Sequence, residues 1–160
     1  MDILALNCGS SSVKYQLYDW EKKEVIAKGM VERVTIGDSF IIHEVPGRET
    51  YREEYECPDH EVAVHLILKT MVAAETGVVE SLEKISAVGH RVVHGGEKFA
   101  RSVMIDDEVL NTFAVVGTPE EIAPELGRRY SDVIDRISFY APYQSDLDRW
   151  NAVMEGIKAI

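Results

Sequence analysis

A mixed α/β fold is predicted by two changes of period in a chain of 160 residues. Over residues 4–57 apolar and polar side chains alternate with period two, the pattern of half-buried strands, and from Asp59 the apolar positions shift to helical spacing. A short valine-rich run at 85–93 then returns to strand character. Strands, a helix and a further strand in that order call for a mixed sheet with helices packed on it.

The elements follow in order. Residues 4–19 read as two strands joined by Gly9-Ser10-Ser11-Ser12, because Val13, Tyr15 and Leu17 alternate with Lys14, Gln16 and Tyr18. Residues 24–34 make a third strand, with Val25, Ala27 and Gly29 against Ile26, Lys28 and Met30, and Gly37-Asp38 turns the chain. Phe40-Ile41-Ile42-His43-Glu44-Val45 is a fourth strand ended by Pro46-Gly47, and residues 50–57 a fifth, whose glutamates suit an exposed edge. Ala63, Leu66, Ile67, Thr70, Met71 and Ala74 then share one helical face, with Asp59 as N-cap after Pro58 and Gly77 as the stop. The valines of 85–93 predict a central strand carrying His90 and Arg91. In the tail, Val115-Val116 reads as a short strand, Thr118 as an N-cap with Pro119 at N1 and Glu121 at N3, and residues 133–140 as another strand. A closing helix over 146–159 aligns Leu147, Trp150, Met154 and Ile157. Pro124 conflicts with the first tail helix, where it should cost about 3 kcal/mol or end the helix early.

Composition narrows the function classes. A formal net charge of −11 excludes nucleic acid as a partner, which demands a basic footprint. It leaves nucleotides open, because a local cationic site within an acidic surface still holds Mg²⁺ and phosphate. No apolar run approaches the ~18 residues of a membrane span, and the first residues lack the charged and apolar regions of a secretory signal, so the expected compartment is the cytoplasm. Cys8 and Cys57 have no metal-ligand spacing and read as free thiols, Cys8 as a small side chain packed under the turn.

Two clusters carry chemistry. Gly9 and the serines of loop 9–12 are small, with backbone N–H groups and hydroxyls able to approach an anion, and Lys14 adds a point charge. Asn7 offers an amide that can orient a phosphate oxygen or the water shell of Mg²⁺. The spacing matches neither the P-loop nor the dinucleotide fingerprint, and a plain turn between strands remains open beside phosphate binding. In the second cluster, His90 and His94 have the i, i+4 spacing of a helical zinc pair, but on a strand that spacing separates them by roughly 13 Å, which excludes zinc. Arg91 among valines requires an anionic partner, either a structural carboxylate or that of a substrate held bidentately. Glu97 and Lys98 read as a solvated loop pair.

Taken together, N-C-G-S-S-S-V-K-Y-Q-L-Y-D at 7–19 and A-V-G-H-R-V-V-H-G-G-E-K-F at 87–99 resemble the acetate kinase family. The likeness extends over residues 1–110. It implies an actin-like ATPase fold, in which two related α/β domains close over ATP, Mg²⁺ and an acceptor. By the same resemblance Asn7 lies near Mg²⁺ and the phosphates, Lys14 binds ATP, Arg91 holds the acetate carboxylate and Val93 walls the acetate methyl pocket. Ser10 and Ser12 join them as phosphate donors on chemical grounds. The implied ligands are acetate and acetyl phosphate, ATP and ADP.

Beyond Leu110 the family's proline- and histidine-bearing segment, catalytic aspartate, histidine, second arginine and adenosine loops are not found. The expected organisation is therefore an acetate kinase-like N-terminal domain over 1–111, with the second nucleotide-binding domain absent, and a strand-helix-strand-helix extension over 112–160. That extension resembles the C-terminal βα unit of luciferase-like flavin- or F420-dependent oxidoreductases, though one such unit cannot bind their cofactor. The expected function is a truncated or recombined acetate kinase with weak or lost turnover. The alternatives are a non-catalytic module for nucleotide or acyl phosphate, or a structural chimera. With most of the family's dimer interface missing, the expected state is a monomer or a non-native association through exposed apolar sheet.

Overall fold

The alternation of residues 2–54 is realised as a hydrogen-bonded sheet in a computed structural model that describes residues 1–92, 99, 101–139 and 146–159. The chain divides into two compact units, Met1–His94 and Gly95–Ile160.

In the first unit, strands β1 (Asp2–Cys8), β2 (Ser12–Asp19), β3 (Glu24–Glu32), β4 (Phe40–Glu44) and β5 (Tyr51–Glu54) form an antiparallel meander. Strand β6 (Ile85–His90) joins it parallel to β1, so the sheet is mixed, with the order β5-β4-β3-β2-β1-β6. Each period-two strand turns one face to helix α1 (His60–Val72). Leu4 pairs with Leu17 and Leu6 with Tyr15, while Val13 pairs with both Cys8 and Val31. Leu4, Val13, Tyr15, Leu17, Val31 and Ile41 form the core with Ala63, Leu66, Ile67 and Met71 of α1. Each fully buried large aliphatic side chain contributes about 1.5–3 kcal/mol.

Helix α1 begins as its sequence predicts, with the Asp59 carboxylate accepting from Val62 N–H at 2.8 Å. It stops earlier than predicted. Ala73 is already extended, and the chain wraps back so that Gly77 N–H donates to Ala73 O and Val78 N–H to Met71 O. Ala74 therefore lies beyond the helix, exposed. β5 takes the predicted edge position, but β6 occupies the other edge instead of the centre. Among the described residues β1 is the one strand it pairs with, and Val88 is 59% exposed.

The second unit contains α2 (Asp107–Phe113), α3 (Pro119–Tyr130) and α4 (Leu147–Lys158). The predicted cap of α3 is present, with Thr118 N–H donating to Glu121 Oε2 at 2.8 Å. Pro124 does not end the helix. Its missing N–H removes one bond near the first turn, and the helix runs on to Tyr130, where Arg128 and Arg129 both grip Glu125. Arg129 also donates to the carbonyls of Asn111 and Ala114, tying α3 to the end of α2. α3 and α4 approach so closely that a Cβ added at Gly156 would lie 2.8 Å from the Ala123 Cβ. Val153 is the buried residue of α4, whereas Leu147, placed in the apolar stripe by its spacing, is 74% exposed. Val115 and Val116 form no strand, and neither do the described residues of 133–140. Among the described residues these short apolar runs have no adjacent strand to pair with.

Candidate phosphate and carboxylate site

The turn between β1 and β2 is held from three directions. Gly9 N–H donates to Ser12 O at 2.7 Å, and Ser11 O accepts from Val34 N–H at 3.0 Å. Gly9 O accepts from the His60 ring Nε2 at 2.6 Å. Gly9 N–H is therefore turned into the loop and does not face an anion, and the remaining donors of the turn are Ser10, Ser11 and the Ser12 hydroxyl. Ser10 is exposed and Ser12 partly buried, at the first position of β2.

Register then assembles the charged residues. Asn7 pairs with Lys14 across β1 and β2. On the other side of β1, Leu6 pairs with His90 and Arg91 N–H continues the ladder to Leu6 O at 3.0 Å. Side chains alternate between faces along a strand. Asn7, Lys14 and Arg91 thus share the face opposite α1, on neighbouring strands about 4.8 Å apart. His90 falls on the other face, in register with Leu6. An amide flanked by an ammonium and a guanidinium, beside a serine-rich turn, suits phosphate on the lysine side and a carboxylate on the arginine side.

Arg91 and Lys14 are exposed, and among the described residues no carboxylate pairs with either. A structural carboxylate for Arg91 thus has no candidate there. Val93 lies outside the described residues, as do His94, Gly95, Gly96, Glu97 and Lys98. Among the described residues no group of three or more His, Cys, Asp or Glu side chains is gathered for a metal. A hydrated cation suits Asn7 better than direct carboxylate ligation, since Mg²⁺ keeps several waters. Cys8 is half-buried against the core and burial pushes its thiol pKa up, as its packing role predicts. Both cysteines are free.

His60 was not among the sequence candidates. Its signal was the preceding cap: Asp59 starts α1 and so sets the next side chain at the first turn. An apolar cavity of about 720 Å³ lies in the second unit, lined by Val115, Ile122, Leu126, Phe139 and Trp150. Its charged residues Asp146 and Arg149 approach each other at 3.6 Å, so their charges largely offset within the cavity. No described helix is long and apolar enough to cross a membrane.

Comparison with known proteins bears on this geometry. The model of the acetokinase family matches residues 2–142. The chain is 76% identical over 111 residues to acetate kinase of Geobacter metallireducens, covering 69% of this chain and 26% of that protein. It is 69% identical over 124 residues to acetate kinase of Geobacter sulfurreducens, covering 78% and 29%. The crystal structure of Porphyromonas gingivalis acetate kinase matches with a TM-score of 0.66 at 33% identity, over 99% of this chain and 34% of that one. The chain spans about a quarter of the length of the curated relatives it matches.

Proposed function

The chain belongs to the acetokinase family and has the α/β architecture of the N-terminal part of its actin-like ATPase fold, and from this premise we propose that it carries the acetate- and phosphate-binding part of an acetate kinase site. The observation that carries the reading is the alignment of Asn7, Lys14 and Arg91 on one face of three adjacent strands, beside loop 9–12.

In this reading Arg91 holds the acetate carboxylate through two parallel N–H donors, with Val93 beside the methyl group. Lys14 and the hydroxyls of Ser10 and Ser12 hold phosphate oxygens of ATP, and Asn7 orients the water shell of Mg²⁺. Bound Mg²⁺ supplies charge neutralisation at the phosphates. The reaction is in-line phosphoryl transfer: a carboxylate oxygen of acetate forms a bond to the γ-phosphorus as the bond from that phosphorus to the bridging oxygen breaks, and ADP leaves with the electron pair. Positioning and neutralisation carry most of such catalysis. These residues form one wall of that site, and by themselves they bind the ligands and turn them over weakly.

Calorimetric titration with acetyl phosphate tests the binding. Saturable heat from the native chain is the expected result, a parallel titration with acetate should weaken at least about tenfold in Arg91→Ala, which loses a charge-assisted bidentate contact to the carboxylate, and a heat-free acetyl phosphate titration of the native chain would sink the reading. Trapping acetyl phosphate with hydroxylamine in the presence of Mg-ATP and acetate tests the turnover. Robust, Arg91-dependent hydroxamate formation would overturn weak turnover while leaving the site assignment intact.

A further inference from the structure

Loop 9–12 belongs to the sheet by sequence, yet one of its three hydrogen-bonded supports comes from the helix 51 residues away. His60 is the first residue of α1, and the Asp59 carboxylate fixes that end of the helix by accepting from Val62 N–H. From there the ring reaches Gly9 O at 2.6 Å. A carbonyl only accepts, so Nε2 carries the proton in this contact. The other two supports act within the sheet side: Gly9 N–H closes the turn on Ser12 O, and Val34 N–H holds Ser11 O. Without His60 the peptide between Gly9 and Ser10 is free to rotate at its carbonyl end, and Gly9 permits backbone conformations that other residues do not. That rotation would re-aim the Ser10 N–H and displace Ser12, whose Oγ lies 3.3 Å from the position a Gly9 Cβ would take.

We infer that His60 is a positioning residue for the phosphate loop: it pins the Gly9 carbonyl to the start of α1 and so holds the Ser10, Ser11 and Ser12 donors in their binding arrangement. This rests on reading loop 9–12 as a phosphate site. His60 touches no ligand itself. Its effect falls on phosphate ligands and spares the carboxylate side, because Arg91 is held through β6 and the Leu6 carbonyl.

The test compares His60→Ala and His60→Gln with the native chain, using acetyl phosphate by calorimetry, acetate by NMR titration and thermal unfolding as a check on folding. His60→Ala should weaken acetyl phosphate binding by about three- to tenfold, the range set by one net hydrogen bond. Acetate affinity should stay within about twofold of native. His60→Gln, whose amide can donate to the same carbonyl, should recover most of the loss. Equal acetyl phosphate binding by the native chain and His60→Ala, while Lys14→Ala binds more weakly, would overturn the role of His60 and leave the phosphate site standing. Failure of the native chain itself to bind would remove both. If His60→Ala unfolds, His60→Gln with native unfolding temperature and native affinity still supports the inference, and with native unfolding temperature but weak binding contradicts it.

Discussion

Replacing Tyr15 by Phe probes a deeply buried polar contact of the first unit. The Tyr15 hydroxyl and His43 Nδ1 lie 2.6 Å apart, and His43 Nε2 lies 3.2 Å from Thr76 O. Because Thr76 O can only accept, Nε2 carries the ring proton, Nδ1 is an acceptor and the Tyr15 hydroxyl donates to it. Burial, with the Glu44 carboxylate as a smaller cause, pushes the Tyr15 pKa up, so the donor proton stays in place. His43 is 1% exposed and Tyr15 4%. Tyr15→Phe keeps the ring packing and leaves Nδ1 buried without a partner, which costs about 1–3 kcal/mol. In a unit of this size each kcal/mol moves the midpoint by roughly 4–8 °C, so Tm should fall by about 4–24 °C. Calorimetric unfolding at pH 7.5 measures it, and a Tyr15→Phe midpoint within about 2 °C of native would refute the assigned network. The pair also sets an acid response. Burial first, and the Arg48 charge second, hold the His43 pKa below its ordinary value against the opposing pull of Thr76 O. The unfolded chain therefore binds the proton more readily, and His43 stabilises the fold fully above the ordinary histidine pKa near 6.5 and progressively less as pH falls toward its lowered folded value.

Four further outcomes follow from the packing and the proposed site. Gly29→Ala should destabilise the first unit by about 3 kcal/mol or more, at the upper end of overpacking costs, because its Cβ would meet the Ile42 carbonyl and the Tyr15 ring. Gly89→Ala, with nothing within 4 Å of the new Cβ, should shift stability by less than about 0.5 kcal/mol, and urea unfolding of the two variants side by side checks the contrast. Gly156→Val should separate α3 from α4 through the Ala123 contact and cost the second unit about 1–3 kcal/mol, seen as loss of helical circular dichroism at lower denaturant. Lys14→Ala should weaken acetyl phosphate binding by about three- to tenfold while leaving Tm within a few degrees, since the side chain is exposed on β2.

Alternation along 13–17 separates Val13, Tyr15 and Leu17 from Lys14 onto opposite faces of a strand, because period two is a property of the chain itself. Helical spacing and Asp59 did the same for the start and buried face of α1. Long-range hydrogen bonds were not legible: the Tyr15–His43 contact joins residues 28 apart and the His60–Gly9 contact residues 51 apart. In the tail, local apolar runs at Val115-Val116 and 133–140 mimicked strands, but β character needs a neighbour to hydrogen-bond. Spacing also favoured Leu147 over Val153 on α4. The closeness of Gly156 to Ala123 determined which side of that helix is covered.

Residue types alone determined the chemistry available: small donors and a lysine at the first turn, an asparagine before it, an arginine after a valine-rich strand. They also determined the family, through the resemblance of two short blocks. Only the tertiary structure decided that Arg91 stands beside Asn7, because β6 runs parallel to β1 with Leu6 against His90. A strand's side-chain period is local, whereas its partner, direction and register depend on contacts between segments far apart in the chain, and those non-local contacts are what bring three separate residues onto one face.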